Sequence, residues 1–175
     1  FLYFGRLLKE KGIREFIYVA NKINKLGLNC EFHIIGSLDK KNPSSITEND
    51  LKKFREFKNN KFENFKNDVR KDLNRANCVV LPSYREGTPR GLLEALSVGR
   101  PIITTNAVGC REVIQEGRNG FSVKIKDTNS LFTAIKLFHN LSNKKKIQMS
   151  KYSREFVSKK FDINKVIKIY EKLLV

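Results

Sequence analysis

A chain of 175 residues with 40% hydrophobic content can bury one sizeable core and is too short to promise two. Its 35 Lys and Arg outnumber 18 Asp and Glu for a formal net charge of +17, which suits an anionic partner: nucleic acid, anionic lipid or a phosphorylated substrate. No glycine-arginine or stacked-aromatic motif accompanies the scattered lysines, so nucleic acid is set aside, and no apolar run approaches the ~18 residues of a membrane span.

No charged-then-apolar leader is read either, and a cytoplasmic chain is expected, with a peripheral place on the inner face of an anionic membrane as a further option. Phe1-Leu2-Tyr3-Phe4-Gly5 opens directly on an apolar run and the single methionine is Met149, so the chain is expected to be a piece of a longer protein. Cys30, Cys78 and Cys110 are too few and too widely spaced for a disulfide framework or a metal site, and a reducing compartment is expected.

Leu2-Tyr3-Phe4 reads as a buried strand and Gly5 to Gly12 as the loop after it. Ile13, Phe16, Ile17, Ala20 and Ile23 then recur at helical spacing until Gly27. Arg6 and Lys11 thus fall where a strand C-terminus meets a helix N-terminus, the place where open α/β sheets bind ligands. Glu31 to Gly36 is a second strand; its His33, like His139, is assigned no role. Thr47-x-x-Asp50 reads as a capping box opening a charged helix through Leu51 and Phe54. Phe62-Glu63-Asn64-Phe65 reads as a short strand, with Asn64 expected to tolerate a left-handed backbone. A helix over Val69–Ala76 leads to a strand over Cys78–Leu81.

Past that strand the pattern stops looking like generic core. Thr88 followed by Pro89 reads as an N-cap and an N1 proline, Leu92, Leu93, Ala95 and Leu96 mark a buried side, and Gly99 with Pro101 supplies a left-handed stop. The unpaired amides of Arg90 and Gly91 then face out of the positive helix end, and Gly91, lacking a β-carbon, lets an anion come close. Glu86 and Glu94, with seven residues between them, bracket this turn, and two carboxylates facing one pocket suit paired sugar or ribose hydroxyls. Taken alone, the same two residues read more readily as a turn glutamate and a solvated helix glutamate.

Ile102–Thr105 is the next strand, Gly109–Glu116 a short helix, and Gly120–Val123 a further strand. Leu131, Ala134, Ile135 and Phe138 are the buried stripe of another helix. Lys144-Lys145-Lys146 opens a basic helix containing Phe156 and Val157, and Ile163, Val166, Ile167, Tyr170 and Leu174 give the last helix an apolar side. Strands alternating with helices at this rhythm predict a parallel sheet with helices on both faces.

The stretch from Glu86 to Thr105 resembles the E-x7-E signature of the retaining nucleotide-sugar glycosyltransferases of the GT-B fold, family 4. Upstream, Ala76 to Ser83 resembles that family's preceding strand. Downstream, Gly109-Cys110-Arg111-Glu112 and Asn119-Gly120-Phe121 resemble its G-x-x-E and N-G-(F/L) segments, and Gly5-Arg6-Leu7 with Lys11-Gly12 resembles its diphosphate loop. These matches cover nearly all of the chain in the family's order.

The resemblance implies a Rossmann-like open parallel sheet of about six strands with helices on both faces, the C-terminal half of a GT-B fold. Residues 1–143 would form the donor-binding domain and residues 144–175 C-terminal helices packed on it. It implies transfer of a sugar from a nucleotide diphosphate sugar, UDP-linked by expectation, to an acceptor hydroxyl with retention, in bacterial surface polysaccharide or lipid-linked glycan synthesis. The acceptor, a glycan or lipid-linked glycan, would be met by an N-terminal domain absent from this chain, so the piece alone is expected to be inert. Glu86, Arg6 and Lys11 take catalytic roles in that reading. Gly5, Arg6, Lys11, Asn64, Glu86, Gly87, Thr88, Pro89, Arg90, Gly91, Leu92 and Glu94 bind the donor, with Asn64 near the base and Glu94 at the ribose. No cofactor and no metal is implied, and no Asp-x-Asp signature occurs in the chain. The rival is a non-catalytic domain of the same fold acting as a basic anion-binding module for nucleic acid or anionic lipid.

Overall fold

In the computed structural model, residues 1–173 are described. Strands β1 (Leu2–Phe4), β2 (Phe32–Ile35), β3 (Asn60–Glu63), β4 (Val79–Leu81), β5 (Ile102–Thr105) and β6 (Gly120–Val123) alternate with helices. The helices are α1 (Ile13–Lys25), α2 (Glu48–Arg55), α3 (Arg70–Arg75), α4 (Arg90–Ser97), α5 (Thr128–Asn140), α6 (Asn143–Lys160) and α7 (Ile163–Leu173). The strands form one six-stranded sheet in the order β3-β2-β1-β4-β5-β6, and every pairing is parallel. This is the parallel sheet expected from the alternation of strand and helix patterns, and the six-stranded Rossmann-like sheet that the family resemblance implies.

The strands read as nearly continuous apolar runs because both faces are covered. Period-2 alternation sends Tyr3, Ile34, Val80 and Ile103 into a core under α1, α2 and α5. Their neighbours Leu2, Ile35, Val79 and Ile102 face a second core with Leu73 of α3 and Leu92 and Leu96 of α4. Helix α6 straddles the two, Met149 joining the first core and Val157 the second. The α1 stripe Ile13, Phe16, Ile17, Ala20 and Ile23 is buried as its spacing predicts. So is the α5 stripe of Leu131, Ala134, Ile135 and Phe138.

Local capping signals also hold. The Thr47 hydroxyl accepts from the Asp50 amide while the Asp50 carboxylate accepts from the Thr47 amide at 2.9 Å, a complete capping box on α2. At the end of α4, Gly99 takes φ 71, its amide donates to Leu96 O at 2.9 Å, and the Arg100 amide donates to Ala95 O at 2.8 Å. That pair of bonds is a Schellman stop.

Several expectations are corrected. Strand β3 begins at Asn60, before the predicted Phe62, because Phe32 pairs with Asn60 and Ile35 with Glu63. Asn64 therefore follows the strand, and its backbone is not left-handed; among the described residues the non-glycine with positive φ is Lys126, at 57°. The predicted helix over 109–116 is instead a run of turns through Val113, held by bonds from the Arg111 amide to Ala107 O and from the Val113 amide to Cys110 O. Helix α4 starts at Arg90 with Pro89 as N-cap, and no Thr88 side-chain bond caps it, because Pro89 at ψ 94 is extended and not yet helical. Leu174, predicted on the α7 apolar side, lies outside the described residues.

Candidate functional site

Chain order runs outward from β1 to β3 and then returns to β4 beside β1, so the sheet reverses direction between β1 and β4. Loops leaving the carboxyl ends of two such strands diverge and leave a crevice between them. Both loops carry predicted site residues: Gly5 to Lys11 after β1, and Pro82 to Arg90 after β4.

The first loop is pinned along its length. The Gly5 amide donates to Ile35 O at 3.0 Å, and the buried Tyr3 hydroxyl donates to Arg6 O at 2.9 Å. Burial, with Glu86 adding to it, pushes the Tyr3 phenol above its ordinary value, so this hydroxyl stays a donor. The segment between β2 and α2 clasps the same loop, through Lys9 amide to Ser44 O at 2.8 Å and Ile46 amide to Leu7 O at 3.0 Å. A single 3-10 turn over Lys9–Lys11 then leads into α1.

The second loop is tied to that turn. Ser83, fully buried, donates through its hydroxyl to Glu10 O at 3.1 Å, and the Tyr84 amide donates to the same carbonyl at 2.8 Å. Beyond the end of β4 the ladder would leave carbonyls unpaired, and β5 supplies hydroxyls in its place: Thr104 donates to Leu81 O at 2.8 Å and Thr105 to Ser83 O. The Glu86 amide donates to Val108 O at 3.1 Å. Under this bond sits Gly109 at φ 82, whose missing β-carbon would lie 2.0 Å from Gly87 O and 2.4 Å from Glu86 O. Only a residue without a side chain fits there.

These ties bring Lys11 and Glu86 together across 75 positions of sequence. The Lys11 ammonium lies 2.6 Å from each carboxylate oxygen of Glu86, with side-chain exposures of 20% and 11%. Two of the three residues expected to act in catalysis are therefore already paired with each other. Arg6 is exposed at the lip of the crevice and Glu94 is exposed on α4. Gly87 and Thr88 are exposed in the loop, and Pro89 is buried at the helix start.

At the head of α4 the amides of Leu92 and Leu93 donate to Pro89 O, leaving those of Arg90 and Gly91 as first-turn donors with no partner among the described residues. Leu92 is buried in the core with its amide so engaged. The absent β-carbon of Gly91 faces the Phe4 ring, whose atoms lie 3.1 to 3.2 Å from where it would be, so close packing of α4 on β1 also calls for glycine. Asn64 is exposed on the rim of a groove of about 730 Å³ at the carboxyl ends of β2 and β3. Ser37, Leu38, Arg55 and Phe62 also line it, and the Arg55 guanidinium stacks 4.6 Å from the Phe62 ring centroid.

Neither histidine enters this site. His33 Nε2 lies 3.0 Å from a Glu63 oxygen, and burial holds its pKa below the ordinary value against the pull of Glu63. Among the described residues, His33, Glu63 and Asp72 bring ligand-type atoms within 4.8 Å of one another, but the Lys66 ammonium already bridges the two carboxylates, 3.0 Å from Asp72. The His139 Nδ1 lies 3.3 Å from the Cys30 sulfur, away from the crevice. Sequence reasoning gave no role to Tyr3, Ser83, Thr105 or Gly109 in holding the site. Two hydroxyls ending an otherwise apolar strand, Thr104-Thr105, were the signal available for one of them.

A family profile described as glycosyl transferases group 1 matches residues 1–156. The capsular polysaccharide biosynthesis glycosyltransferase CapM of Staphylococcus aureus is 33% identical over 138 residues, 79% of this chain and 36% of that protein. The N,N'-diacetylbacillosaminyl-diphospho-undecaprenol alpha-1,3-N-acetylgalactosaminyltransferase of Campylobacter jejuni is 26% identical over 99% of this chain and 44% of its own length. The chain thus spans less than half the length of these relatives. Among solved structures, Anabaena HepE in complex with UDP superposes with a TM-score of 0.84 at 20% identity, over 98% of this chain and 47% of that one, a likeness of fold.

Proposed function

Since the chain belongs to the glycosyl transferases group 1 family, we propose that it is the donor-binding half of a retaining glycosyltransferase that uses a nucleotide diphosphate sugar, UDP-linked by preference. The observation that carries this reading is the Lys11–Glu86 pair, which joins the loops after β1 and β4 at the sheet's reversal point, the same two loops that carry Arg6 and lead into the first-turn amides of Arg90 and Gly91. Cations and helix-end amides suit a leaving diphosphate, whose charge grows as the glycosidic bond breaks. Glu86 is placed to hold sugar hydroxyls and so orient the anomeric carbon, a positioning contribution. Glu94, one turn into α4, is assigned the ribose hydroxyls, and the groove beside Asn64 the base. The reading uses no metal, since fixed cations take over charge neutralisation.

The acceptor is assigned to the part of the protein beyond this chain. Relatives named for capsular polysaccharide and for a diphospho-undecaprenol substrate support a glycan or lipid-linked glycan acceptor.

Arg6 gives the test. It is an exposed charge whose proposed partner is the diphosphate, so Arg6→Ala should weaken UDP binding about tenfold while changing uridine affinity little, as expected for one charge-assisted contact. Equal losses for UDP and uridine in calorimetry would remove the clamp. The net charge of +17 supports a second reading, a module for polyanions. Steep salt dependence toward any polyanion, with no saturable nucleotide-sugar binding, would favour that one.

A further inference from the structure

Resting on the donor reading above, we propose that Glu86 lets the site discriminate the donor from its own nucleoside diphosphate product, by taking Lys11 back whenever no sugar is present. One ammonium cannot serve a two-oxygen contact with Glu86 at 2.6 Å and a diphosphate at full strength together. Among the described residues, Glu86 makes its ion pair with Lys11 alone. With a nucleotide sugar in place, sugar hydroxyls give the carboxylate other donors and release the ammonium to the phosphates. Once the sugar has left, those donors are gone. Lys11 is then drawn back, and the diphosphate loses a cation just when it must depart.

Two features make the pair a fixed competitor. Both side chains are largely buried, so water screens their attraction less than at an open surface. Their backbones are held too, Glu86 by Val108 O and the close approach of Gly109, Lys11 by its amide bond to Leu8 O at 2.9 Å.

The sign of the effect is unusual and makes the test sharp. Removing the charge of a residue that lines the site should tighten product binding. Calorimetry on the chain would use whichever of UDP, GDP and ADP binds most strongly, together with the matching nucleoside. Glu86→Gln should bind the diphosphate about three- to tenfold more tightly than the parent and the nucleoside equally well. In a Lys11→Ala background, the same Glu86→Gln change should do nothing to the diphosphate, because the competition it relieves no longer exists. Melting curves and nucleoside affinity check that each variant is folded. Unchanged or weaker diphosphate binding by Glu86→Gln, or a gain that persists without Lys11, would overturn the proposal alone. If none of the three diphosphates binds the parent chain saturably, the donor reading falls and this one with it.

Discussion

Gly109 shows how much of the site rests on residues that touch no substrate. Its φ of 82° already disfavours any side chain, and the backbone oxygens of Glu86 and Gly87 occupy the space a β-carbon needs. Gly109→Ala should therefore cost about 2 to 4 kcal/mol, from left-handed strain together with overpacking against backbone that cannot rotate away. Urea denaturation measures this, and an unchanged midpoint would mean that the loop yields freely. At the same scale, Lys11 and Glu86 act as a unit, so single substitutions of either report on both.

Helix α2 offers the cleanest test at the scale of one element. Thr47→Ala removes the hydroxyl that accepts from the Asp50 amide at 3.2 Å and donates to its carboxylate at 2.9 Å, and should cost about 1 kcal/mol, as N-cap losses do. Burial by itself would raise the Asp50 pKa, but bonds from the Thr47 amide and hydroxyl and from Arg14 outweigh it and hold it below 3.8. A depressed carboxylate adds stability above its unfolded value and loses it as pH falls through the folded one. The difference between parent and variant should thus be complete at neutral pH and shrink below about pH 3.8. A difference independent of pH would assign the cost to the hydroxyl–amide bond alone. Helix α4 makes a complementary point, since its stop follows from Gly99 and Pro101 whereas its start does not follow from Thr88.

For the whole molecule, burial is uneven between the sheet's centre and its last helix. Strand β4 lies inside the sheet between β1 and β5, with Val79 and Val80 buried on opposite faces. Helix α7 instead exposes Ile163, Ile167, Tyr170 and Leu173, the last at 76%. Thermal unfolding of the chain should be cooperative, yet amide exchange along α7 should be faster than along Val79–Leu81, because these exposed side chains do not oppose local opening of the helix. Equal protection factors in the two segments would contradict this and point to a covering contact for α7. That exposed apolar side carries Lys165, Lys168 and Lys172 among its neighbours.

Patterns that depend on near neighbours were legible before any coordinates. The α1 and α5 stripes, the Thr47-x-x-Asp50 box, the Gly99 stop and the alternation that makes a parallel sheet all follow from residues a few positions apart, where backbone geometry alone sets who meets whom. So was the position of the Gly5–Lys11 and Pro82–Arg90 loops, because strand-to-helix turns of a parallel sheet leave from its carboxyl edge. What only the tertiary structure decided joins distant segments. Asn60 begins β3 early because its buried side chain donates to Phe54 O at 2.7 Å and to Asn21 at 2.9 Å, partners no local pattern names. Gly91 answers to the Phe4 ring as well as to a ligand, and Lys11 is spent on Glu86 in the free chain. Such contacts turn on loop paths and on tenths of an ångström between surfaces that meet only once the sheet has closed, and the periodicity of a single chain carries no record of them.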